Sequence, residues 1–133
     1  MSEPLPLFTD ADLIHSYSRA QAIADGVLID ISELAAQSGF RFPVAITAAA
    51  YAECISLTPS AEDMGCDVVG RTCDVLTCLR LAIKLTPGHT DRVEFEVWCV
   101  RNRHQPESVK LYSVCGPGDT LDPVITIMLP GED

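Results

Sequence analysis

"PVAITAAAYAECI", residues 43–55, is the most apolar helical stretch of the chain, and its reading decides the architecture. Proline at position 43 suits the first turn of a helix, where its missing N–H would go unused. Apart from Thr47 and Glu53 the stretch is apolar all round. The expectation is therefore a helix from 43 to about 56 that forms the central buried element. Cys54 packs within it as a small hydrophobe. The stretch is too short to span a bilayer.

Working toward the N-terminus, "SELAAQSG" (32–39) reads as a shorter helix. Asp30 and Glu33 form a capping box at its start, Ile29 and Leu34 a hydrophobic staple, and Gly39 a left-handed cap at its end. "VLID" (27–30) is compatible with one short extra strand. Before it, "LFTDADLIHSYSRAQAIADG" (7–26) carries the same start signal: Thr9 with Asp12, and Phe8 with Leu13. Leu13, Ile14, Tyr17, Ala20 and Ala24 make its apolar stripe. His15 points away from that stripe and has neither an acid–base partner nor a metal-ligand spacing.

Toward the C-terminus, "LTPSAEDMGCDVVG" (57–70) reads as the longest loop. A fourth helix follows over about 71–85, with Val75, Leu76, Leu79, Ala82 and Ile83 inward. After "TPGHTD" the period changes to two. In "RVEFEVWCVR" Val93, Phe95, Val97 and Cys99 alternate with Glu94, Glu96, Trp98 and Val100. "SVKLYSVC" (108–115) and "PVITIMLP" (123–130) are two further strands. The expected fold is a single α+β domain over 1–133: about four N-terminal helices on one face of a C-terminal three-stranded antiparallel sheet. Trp98, Val100, Tyr112, Val114, Val124 and Met128 then form an outward apolar face rimmed by Glu94 and Glu96.

Composition narrows the function classes. The chain has 133 residues, 47% of them apolar, and a formal net charge of −10. Residues 1–67 hold ten acids and two bases, residues 68–118 five acids and seven bases, and residues 119–133 four acids and no base. Direct nucleic-acid binding is disfavoured, because neutralising phosphates needs clustered Lys and Arg. An acidic surface suits a basic partner. "MSEPLPLF" has no basic leader or long apolar run, so the expected location is cytoplasmic, with no membrane partner.

Six cysteines, at 54, 66, 73, 78, 99 and 115, match no zinc spacing and lack nearby histidines, so free thiols and no metal or cofactor are expected. In "CGPGD" (115–119) the Pro–Gly pair signals a type II turn, with Cys115 ending a strand and Asp119 and Asp122 favouring its neutral thiol. Cys73 shares a helix side with Arg80 and Lys84, but no histidine serves as its base. Dinucleotide, P-loop, zincin and hydrolase-elbow motifs are absent. A catalytic centre is not expected. The predicted partner contacts are Asp25 at a helix end, Glu62, Asp63 and Asp67 in the long loop, and Trp98 as an apolar anchor.

"LFTDADLIHSYSRAQAIADGVLIDISELAAQSGFRFPVAITAAA" (7–50) and "VCGPGDTLDPVITIMLPGED" (114–133) resemble a small acidic domain family without assigned function, borne on plasmids, integrative elements and phages. The stretch from 57 to 90 departs most. The resemblance supplies no catalytic residues. It implies a neighbourhood of mobile-element genes that counter host defence, including anti-CRISPR and antirestriction proteins. On that basis the leading expectation is a non-enzymatic, stoichiometric inhibitor of a defence complex, a CRISPR effector above all, met through acidic residues and with a homodimer left open. The alternative is an enzyme, thiol-dependent or otherwise, that modifies a defence component.

Overall fold

The computed structural model describes residues 17–57, 67–88, 90–99 and 107–132. Its elements are α1 (Arg19–Ala24), β1 (Leu28–Asp30), α2 (Ser32–Gln37), β2 (Val44–Thr47), α3 (Ala48–Cys54), α4 (Val68–Leu85), β3 (Arg92–Cys99), β4 (Glu107–Pro117) and β5 (Pro123–Met128). The class is α+β, as expected, but the sheet is not three-stranded and antiparallel. Among the described residues it has five strands in the order β1-β2-β5-β4-β3. Strands β3, β4 and β5 form the expected antiparallel meander, and β1 pairs antiparallel with β2. Between them β2 runs parallel to β5, with Ile46 opposite Ile127.

The correction lies in residues 43–55. Val44, Ala45 and Ile46 are all buried, on both faces of a central strand. Such a strand reads as an unbroken apolar run, and periodicity cannot separate it from a buried helix. Pro43 does not open a helix; its carbonyl accepts the Ile125 N–H at 2.9 Å and continues the β2–β5 ladder. The helix begins only at Ala48, where Thr47 Oγ1 accepts from the Ala50 N–H. Cys54 is buried at its end, as expected.

Other boundaries moved for local reasons. Ser18, whose side chain accepts from Gln21 N, caps α1, and Gly26 follows at φ +79°. The Thr9–Asp12 box, the Phe8–Leu13 staple and His15 lie outside the described residues. The Asp30–Glu33 box is not formed. Asp30 still belongs to β1, and its Oδ1 accepts from Ser32 N–H and Oγ–H instead. Gly39 does take the left-handed conformation, at φ +99°. Helix α4 starts three residues before its expected boundary, because Asp67 caps it through Gly70 N. The predicted loop at 57–70 thus ends at that cap, and residues 58–66 lie outside the described set.

The type II turn at 116–119 is also replaced. Strand β4 continues through Pro117, which sits opposite Pro123. Neither proline has an N–H to donate, so the pairing is closed one step further by Gly118 N–H to Asp122 O at 2.9 Å. Leu121 takes φ +69° in the resulting loop.

The main core lies between the sheet and α2, α3 and α4. Val75, Leu76 and Leu79 of α4 meet Val93, Phe95, Val97, Leu111 and Ile127 there. Full burial of each such side chain contributes about 1.5–3 kcal/mol. The helices are not confined to one face, however. Arg19 of α1 donates to Thr126 Oγ1, and Thr126 pairs with Ala45 and Val114 on the face opposite Ile125 and Ile127. Helix α1 therefore covers part of the second face.

Candidate functional site

Strand β3 alternates as its sequence demands: Val93, Phe95, Val97 and Cys99 are buried under the helices, while Glu94, Glu96 and Trp98 face solvent. Trp98 is 67% exposed. Across the β3–β4 ladder it stands opposite Ser108, Glu96 opposite Lys110, and Glu94 opposite Tyr112. Ser108 Oγ donates to Glu96 Oε2 at 2.8 Å. The strand is the sheet's edge among the described residues.

The wider outward patch expected around Trp98 faces as expected but is largely closed. Tyr112 and Met128 share the outer face and are only 7% and 8% exposed. Arg92 stacks over the Tyr112 ring, 4.4 Å from guanidinium carbon to centroid. The Tyr112 hydroxyl accepts the Gly131 N–H at 3.3 Å. Val114 and Val124 are half-buried beside α1. Val100 lies outside the described residues. Among the described residues of that patch, what remains open is Trp98 with its two carboxylates.

The predicted acidic contacts do not gather. Asp25 caps α1 at its C-terminal end and accepts the Tyr17 hydroxyl at 2.6 Å, which raises the Tyr17 pKa. Asp67 is exposed but engaged as the α4 cap. Glu62 and Asp63 lie outside the described residues. No hydrogen bond joins any two of Asp25, Asp67 and Trp98.

Sequence reading missed a second locus. The Asp119 carboxylate accepts from Arg19 N–H at 2.7 Å and Ala20 N–H at 3.1 Å, which holds its pKa below the ordinary aspartate value. The Arg19 guanidinium reaches under the helix to Thr126 Oγ1 and Ile125 O, both at 2.7 Å. Burial lowers the Arg19 pKa, opposed by Asp30 and Asp119. This lock joins α1 to the β4–β5 loop across a sequence separation of 100 residues. Beside it, α1 and the outer sheet face enclose an open groove of about 480 Å³, lined in part by Tyr17, Val27, Val114 and Pro117. No local motif announces such a contact, because its two partners lie 100 residues apart in the chain.

Among the described residues five cysteines are free, Cys54, Cys73, Cys78, Cys99 and Cys115, and no three metal-ligating side chains gather. Cys115 is half-buried and faces the helix side of the sheet, in a depression of about 230 Å³ shared with Phe42, Ile83 and Asp91. Burial first, and then Asp91, raise its thiol pKa, which favours the neutral form. The source of charge is thus Asp91, where the sequence suggested Asp119 and Asp122. Arg80, the expected neighbour of Cys73, turns its guanidinium to the Ser38 carbonyl at 2.9 Å and lies against Gly39. No helix of the described residues is long and apolar enough to cross a membrane.

The described residues thus form an α+β domain with a mixed five-stranded sheet and an exposed tryptophan on an edge strand. By sequence the chain belongs to the DUF6573 family, a family of unknown function whose model matches residues 5–133. No curated protein and no solved structure matches it.

Proposed function

We propose that this chain acts by binding a macromolecular partner, with Trp98 as the apolar anchor and nearby carboxylates drawing in a basic surface. The observation that carries this reading is the 67% exposure of Trp98 beside Glu94 and Glu96. Covering that much indole is worth about 3 kcal/mol in transfer free energy. The net charge of −10 supports a basic partner, and the shortage of cationic side chains disfavours nucleic acid itself.

The resemblance to mobile-element proteins suggests the partner class. We assign it to a basic, nucleic-acid-handling complex of bacterial host defence, a CRISPR effector foremost, met in the cytoplasm and blocked stoichiometrically. Titration of the chain against a purified effector tests this. Inhibition saturating near equimolar amounts is expected, with Trp98→Ala weakening binding by about thirtyfold. Charge reversal at Glu62, Asp63 and Asp67 should slow association, most at low salt. Asp67→Asn belongs beside the reversal, because it keeps the α4 cap. Complete inhibition at a small fraction of the target concentration would overturn the reading in favour of an enzyme.

A further inference from the structure

The hydrogen-bond phase of β3 shows what its outer edge, unpaired among the described residues, presents. Cys115 N–H donates to Asp91 O at 2.7 Å, one step before the Arg92–Val114 pair. Antiparallel pairs alternate between bonded and non-bonded, so Val93–Ser113, Phe95–Leu111 and Val97–Val109 are the bonded ones. The N–H and C=O groups of Glu94, Glu96 and Trp98 therefore point away from β4, out of the edge. These three residues also carry the exposed side chains. An added strand would bond to the same residues whose side chains it meets.

We propose that this edge receives an extended, basic segment of the partner as a sixth strand, its cationic side chains opposite Glu94 and Glu96 and an apolar one opposite Trp98. The proposal rests on the binding reading above and names the partner's local chemistry. Residues directly opposite in an added antiparallel strand share a face, so charge complementarity acts pair by pair. Lys110 flanks Glu96 from β4 and leaves its other side open. A second copy of the chain fits less well. In the two antiparallel registers that overlap β3 most fully, either Glu94 meets Glu96 twice or Glu96 meets itself. Like charges directly opposite are destabilising, and outward charge is a common guard on sheet edges. The carboxylates that deter self-pairing are the ones a basic strand would engage.

Trp98 is the chain's single tryptophan, so its fluorescence reports this strand alone. The probe is the peptide acetyl-Thr-Ile-Thr-Lys-Thr-Lys-Thr-amide, compared with its counterpart carrying Glu for Lys. The lysine peptide should blue-shift the Trp98 emission, slow amide exchange at Glu94, Glu96 and Trp98, and bind about tenfold tighter than the glutamate peptide. The double variant Glu94→Lys/Glu96→Lys, a surface change that leaves the core intact, should invert that preference. Equal binding of both peptides, binding without protection of those three amides, or protection produced instead by dimerisation of the chain would each overturn the proposal. Such a failure, with the Trp98→Ala loss at the effector intact, removes the added strand and leaves the binding reading standing. Loss of that effect while the peptide preference holds would do the reverse.

Discussion

Replacing Thr47 with alanine separates two readings of residues 43–55 by the sign of one free-energy change. In the structure Thr47 ends β2 and caps α3: its Oγ1 accepts from Ala50 N–H at 3.2 Å, and its hydroxyl donates to Glu132 Oε1 at 2.7 Å. Losing the cap costs about 1 kcal/mol. Losing the contact with Glu132, at a solvent-exposed position, adds at most about 1 kcal/mol. The expected destabilisation is thus about 1–2 kcal/mol, or a fall in Tm of about 3–8 °C for a domain of this size. Thr47→Ser, which keeps the oxygen, should stay within about 0.5 kcal/mol of the parent. Had 43–55 been one helix, Thr47 would lie in its interior, and alanine would stabilise by about 0.5 kcal/mol on propensity alone. Urea unfolding of the three proteins, with thermal melts alongside, makes the measurement. An alanine variant as stable as the parent, or more so, would refute the strand-then-helix reading.

Deleting residues 121–133 removes β5, which joins the β1–β2 pair to the β4–β3 pair and buries Ile125, Ile127 and Met128. The truncated chain should lose its cooperative melt by circular dichroism, and an unchanged transition would show that the sheet order is wrong. Acidification should release α1. Asp119 has a lowered pKa in the folded state, so its stabilising contribution is complete above the unfolded-state value and is lost as pH falls through the folded one. The Arg19 and Ala20 amide resonances should therefore titrate together below the ordinary aspartate range in a pH series by NMR. Asp119→Asn should abolish that step, and amide shifts independent of Asp119 would refute the lock.

Local patterning was enough to reveal most elements with one solvated face. Strand β3 is legible because Val93, Phe95 and Val97 alternate with Glu94, Glu96 and Trp98, and only a half-buried strand imposes that alternation. The same alternation by itself places Trp98 outward. Helix α4 is legible from Val75, Leu76 and Leu79, and the left-handed cap at Gly39 from the residue type itself. Cys115 could be read as an unactivated thiol because its neighbours lack a cation or base.

Tertiary structure decided the rest, because burial on both sides erases the local signal. Val44, Ala45 and Ile46 pack against neighbours above, below and alongside, so nothing in their order distinguishes strand from helix. Their parallel pairing with β5 depends on residues about eighty positions away. The same holds for the Arg19–Asp119 lock, where two surface-type residues become partners only after the sheet brings the β4–β5 loop beneath α1. The small size of the open patch is likewise a tertiary outcome: Tyr112 and Met128 face outward as their alternation dictates, yet Arg92 and the backbone at Gly131 close over Tyr112. Pattern determines which way a side chain points; whether another part of the chain arrives to cover it is settled by long-range packing.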